Sequence, residues 1–135
     1  MRRSPFFIPD AWSFAFRDAT SPFNAAEEFP EDLAEELTTK QAKLKAARME
    51  TSQWCSTLRN ALAHGGIAYL DESGRSSYNR PVAMYAFISR KYEGSDQKKL
   101  IGANILRISE INYRDFLRKW VAWLERLGIA RDVAA

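Results

Sequence analysis

At Gly65-Gly66 the hydrophobic period of this chain changes, and that change limits the folds open to it. Before the glycines, "PEDLAEELTTKQAKLKAARMETSQWCSTLRNALAH" is rich in helix formers and carries Leu33, Leu37, Leu44, Ala47, Trp54, Cys55, Leu58 and Leu62. Their steps of three, four and seven keep one stripe of a helix facing a core. Pro30 suits a first turn, and Glu31, Asp32, Glu35 and Glu36 suit its positive dipole end. The spacing predicts one helix over 31–64, or two in line, with the weakest stripe from Glu50 to Gln53. After the glycines the period falls to two. Strands are expected at about 67–71, 82–91 and 100–108. A last helix is expected over 112–127, with Phe116, Leu117, Trp120, Val121, Leu124 and Leu127 on one face. Asn112 and Asp115 stand at capping-box positions and Gly128 ends it. The expected class is therefore mainly α with a small antiparallel β-sheet appended.

Residues 1–29 fit neither period. Phe6, Phe7, Trp12, Phe14, Phe16, Phe23 and Phe29 lie among Pro5, Pro9 and Pro22, which predicts an irregular aromatic arm packed on the body or on a second subunit. A short helix from Pro9 to Ala19 is the alternative. A chain of 135 residues with 46% apolar side chains forms one domain with its own core. Its net charge of +3 tolerates a nucleic-acid partner without requiring one. The single cysteine, Cys55, excludes an internal disulfide and a cysteine-based zinc site, so no metal or cofactor is expected. Pro5, Pro9 and Asp10 interrupt any signal-like core, and no run approaches a membrane span, so a cytoplasmic setting is expected.

The chemistry concentrates in "WCSTLRNALAHGG", which holds the chain's one histidine. On a continuous helix Asn60 and His64, four apart, share a face. Arg59 and His64, five apart, are separated by roughly 140° at ~100° per residue. Histidine exchanges a proton near neutral pH, and guanidinium holds two phosphate oxygens at once. Together they suit metal-free RNA cleavage, His64 moving protons and Arg59 stabilising the phosphorane-like transition state. Asn60 would orient the imidazole or a phosphate oxygen. A plainer reading stands beside this one. A histidine at a helix C-terminus complements the dipole, a neighbouring arginine is ordinarily solvated, and Asn60 caps. Lys40, Lys43, Lys45 and Arg48 in "KQAKLKAAR", with Arg90 and Lys91 in "SRKY", are candidate RNA-phosphate contacts, although such runs are ordinarily solvated faces. Trp120 and Trp123 could stack on bases, but Trp120 belongs to the apolar face. Cys55 reads as buried and inert.

"LRNALAHGG" resembles the signature of the HEPN superfamily: an arginine, a polar residue, then a histidine after four to six intervening positions. Arg59, Asn60 and His64 match it with four intervening residues. The continuation through "IAYL", "AFISRKY" and "YRDFLRKWVAWL" is similar to a bacterial and plasmid-borne branch in which strands follow the motif. The resemblance implies a helical core, truncated or divergent here. It also implies a homodimer whose facing motifs form a composite, metal-independent endoribonuclease site in a toxin–antitoxin or phage-defence setting, with a cognate antitoxin as partner. Other members are catalytically silent and bind RNA, a nucleotide or a protein. A purely structural dimerisation domain is the third alternative. One subgroup is regulated by nucleotide transfer to a tyrosine two residues after the histidine. That position is Gly66 here, so the regulation is not carried over.

Overall fold

The computed structural model describes residues 6–18, 29–76, 79–93 and 99–127. Helix takes 44% and strand 30% of them, which corrects the mainly helical expectation: this is a mixed α+β fold built around one four-stranded antiparallel sheet. The strands are β1 (Trp12–Asp18), β2 (Ile67–Leu70), β3 (Met84–Glu93) and β4 (Lys99–Ser109), in the order β1-β4-β3-β2. Each neighbouring pair is antiparallel. Helices α1 (Glu31–Leu37), α2 (Lys40–Arg48) and α3 (Thr51–Ala63) precede β2, and α4 (Glu110–Arg126) follows β4.

The expected arm is the main source of the error. "WSFAFRD" sets Trp12, Phe14 and Phe16 at every second position, and β1 pairs along β4 from Trp12 opposite Ile108 to Asp18 opposite Gly102. The period-two signal lies at Trp12, Phe14 and Phe16; the surrounding phenylalanines and prolines obscured it. Phe6 packs into the body, while Phe23 lies outside the described residues. As a central strand covered on both faces, β4 buries four consecutive residues, Ile105 to Ile108, instead of alternating.

The helix expected over 31–64 is three helices. Thr39 accepts from the Ala42 N–H at 3.2 Å as the N-cap of α2. The Thr38 and Thr39 hydroxyls donate back to the Glu35 and Glu36 carbonyls at 2.6 and 2.7 Å, ending α1. Local side-chain bonds of this kind compete with helix continuation. A second break falls at Met49 and Glu50, both extended, with ψ of 144° and 147°. Each short helix then sets its own phase. The buried positions become Leu33, Ala34 and Leu37, then Ala42 and Ala46, then Trp54, Thr57 and Ala61, while Leu44, Cys55 and Leu62 face outward. At α4 the N-cap is Ser109, accepting from the Asn112 N–H at 3.2 Å, so Asn112 is the third helical residue and not the cap.

The helices divide between the two faces of the sheet. Trp12, Phe87, Leu106 and Ile108 meet α3 and α4 through Trp54, Ala61 and Phe116, with Phe6 among them. Ala15, Ala68, Leu70, Ala86 and Ile105 on the other face meet α1 through Leu33, Ala34 and Leu37. Between the two, α2 packs against edge strand β1.

Candidate functional site

The side of α3 that carries Trp54, Thr57 and Ala61 is buried, leaving Arg59, Asn60 and His64 on its exposed side. The helix ends at His64, the C-cap, with φ −108° and ψ 9°. Its backbone N–H donates to the Asn60 carbonyl at 3.1 Å, and the Gly66 N–H donates to the Ala61 carbonyl at 2.7 Å. This second bond is of the Schellman type, which needs a left-handed residue between its ends. Gly65 supplies it with φ +68°.

Gly66 has a different function. A Cβ there would collide with the Ile88 carbonyl oxygen, and Gly66 accepts from the Ile88 N–H at 2.7 Å as the chain enters β2. The space left by the second glycine is thus occupied by the chain's own β3. Together the glycines dock the end of α3 onto the β2–β3 edge.

The structure does not bring Arg59 and His64 together. Among the described residues neither side chain has a hydrogen bond or ion pair, and the Asn60 side chain has none either. The Asn60 carbonyl accepts from the His64 backbone, but no side-chain bond joins the two. The charge of Arg59 acts on Cys55, one turn earlier, and pulls its thiol down. Partial burial outweighs this and leaves the thiol above its ordinary value. Cys55 is exposed, correcting the buried reading, and its raised pKa keeps it a poor nucleophile.

The other candidates separate by location. Lys40, Lys43, Lys45 and Arg48 lie on α2 against β1, at the sheet edge opposite β2. Arg90 and Lys91 follow Ile88 on β3, beyond the point where Gly66 joins it, and both are exposed. Strand alternation sends them to opposite faces. Lys91 takes the α3 face, where its Nζ stands 5.9 Å from the Phe16 ring centroid. Arg90 takes the α1 face.

Tyr69, near the tyrosine position of the resemblance but out of register with it, is not among the expected contacts. It lies three residues after Gly66 on β2, on the α3 face with Ile67, edge-on to Tyr85 at 5.9 Å and 61% exposed. The alternation in "IAYL" carried the signal. Trp120, expected in the core, is stacked on Phe116 at 6.3 Å yet 40% exposed, while Trp123 is half-buried against Phe6. Among the described residues no group of three acidic, histidine or cysteine side chains could hold a metal ion. No helix among them is long and apolar enough to cross a membrane.

Fold and site together define a single-sheet α+β protein with Arg59, Asn60 and His64 exposed towards the end of α3. Comparison with protein-family models, curated proteins and solved structures finds no match.

Proposed function

We propose that this chain binds RNA through its phosphates at the exposed end of α3. Arg59, His64 and Lys91 are the phosphate-contacting groups, and Tyr69 is a ring on which a base stacks. One observation carries this reading: Arg59, Asn60 and His64 are exposed at a helix end with no side-chain partner among the described residues, while the opposite side of α3 is engaged with the sheet. Their donors are therefore available to an external anion. The setting that fits is the cytoplasm, where RNA is at hand and a lone thiol stays reduced.

A second reading is metal-independent cleavage by a homodimer, in the toxin–antitoxin or phage-defence setting that the HEPN resemblance implies. His64 would take the 2′-OH proton as O2′ bonds to phosphorus and the bond to O5′ breaks, and protonated imidazole would return a proton to O5′. Arg59 of a second copy would stabilise the phosphorane charge. Exposure of His64 at the end of its helix favours this reading. It ranks second because Arg59 and His64 diverge on one helix, and because a sheet replaces the helical bundle that would pair two motifs.

The test is titration of labelled single-stranded RNA with the wild type, Arg59→Ala, Lys91→Ala and His64→Ala in EDTA. Losing one phosphate contact is expected to weaken binding about five-fold and to reduce the salt slope by about 0.7. Affinity unchanged in both Arg59→Ala and Lys91→Ala overturns the binding proposal. Cleavage in EDTA that disappears in Arg59→Ala and His64→Ala promotes the second reading.

A further inference from the structure

Among the described residues the body engages α4 on one side only. Of its 17 residues Phe116 alone is buried, with Trp123 half-buried 5.5 Å from Phe6. Elsewhere on the helix Val121 is 46% exposed, and a shallow groove of about 300 Å³ runs over Leu117, Arg118, Val121, Ala122 and Glu125. An apolar centre of Val121 and Ala122 therefore lies between a cation and an anion one heptad apart.

That pattern is self-complementary. A two-fold axis passing between Val121 and Ala122 sets a second α4 antiparallel to the first. It places Arg118 opposite Glu125 of the second copy and Glu125 opposite Arg118 of the second copy. Isologous association requires one patch to complement itself in this way. Antiparallel packing also opposes the two helix dipoles favourably, and the small Ala122 side chain lets the backbones approach. A single-signed partner surface would satisfy only one of the two charges. Arg118 now pairs with Asp115 at 3.6 Å, but both side chains are substantially exposed, 77% and 44%, so the exchange of partners costs little.

We infer that the outward face of α4 is a self-association surface for a second copy of this chain, with Val121 and Ala122 at its centre and Arg118 paired with Glu125 across it. A helix of 17 residues spans about 25 Å. One such contact falls below the ~1,200 Å² of standard interfaces, so association in the micromolar range is expected. The contact uses none of Arg59, Asn60 or His64, so it stands apart from the RNA-binding reading.

Sedimentation velocity of the full chain from about 1 to about 500 µM tests it. The wild type is expected to dimerise within that range. Arg118→Glu and Glu125→Arg each set like charges together and are expected to weaken the dimer at least about ten-fold. The double variant R118E/E125R recreates both pairs with exchanged signs and is expected to return to within about three-fold of the wild type. A chain that stays monomeric throughout overturns the inference. So does a dimer indifferent to the single reversals, or a double variant as weak as either single one. A dimer that dissociates on Arg59→Ala, and not on the α4 changes, belongs to the α3 surface and also overturns it.

Discussion

The sheet face under α3 and α4 is filled largely by rings, whereas the face under α1 is filled by aliphatic side chains with one ring, Phe29, and rimmed by charge. On the first, Trp12, Trp54 and Phe116 stand mutually edge-to-face at 5.2 to 5.6 Å, and Phe6 stacks on Trp54 at 5.5 Å. On the second, Leu33, Ala34 and Leu37 pack on Ala15, Ala68 and Ala86, while Arg17 reaches Asp32 and Arg75 reaches Glu31. Aromatic contact of this kind depends on shape and is indifferent to pH, and a charged rim is not. The face that presents the candidate site thus rests on the core that acid does not titrate.

Trp54→Ala gives the sharpest contrast. It removes a ring that touches Phe6, Trp12 and Phe116, and should destabilise by about 3–5 kcal/mol in urea unfolding. Trp54→Phe should cost far less, because the indole Nε1 of Trp54 is buried without a hydrogen-bond partner among the described residues and the substitution removes that donor. Equal losses from the two variants would show that the indole N–H makes a contact worth more than the ring area. Leu33→Ala, on the opposite face, deletes a single aliphatic side chain and should cost about 2–3 kcal/mol.

The same contrast explains what was legible in the sequence. Strands β2, β3 and β4 and helix α4 were visible because their periodicity is local, although the cap of α4 is Ser109 and not Asn112. Strand β1 was not, because Ala15 is apolar between Phe14 and Phe16 and the strand lies inside a segment crowded with aromatic and proline residues. The division of α1 from α2 depends on the Thr38 and Thr39 side chains bonding back to the helix, a competition that hydrophobic spacing does not register. At the site, the separation of Arg59 from His64 followed from helix geometry alone. That Gly66 is filled by Ile88 did not, because the contact joins residues that only the tertiary fold brings together. Tyr69 was in view within "IAYL", but its exposure depends on β2 being an edge strand.

Acid should distinguish the two faces with the smallest effect. The Arg17 guanidinium, 2.9 Å from Asp32, holds that carboxyl below its ordinary value of 3.8, and the Ser73 hydroxyl does the same for Asp71 in the loop after β2. A carboxylate with a depressed folded pKa contributes stability that is present above its unfolded value and is lost as pH falls through the folded one. Urea midpoints should therefore hold steady from neutral pH down to about 4 and then decline. In Arg17→Ala the part of that decline due to Asp32 should disappear, and the midpoint at neutral pH should drop by no more than a few tenths of a molar, about what an exposed ion pair supports. High salt should reproduce most of that drop in the wild type and add little in Arg17→Ala. Trp54→Ala should lower the whole curve without changing its shape, since no titrating group is removed. An acid decline that Arg17→Ala leaves unaltered would move the pH sensitivity away from the Arg17–Asp32 pair and onto the Asp71 turn.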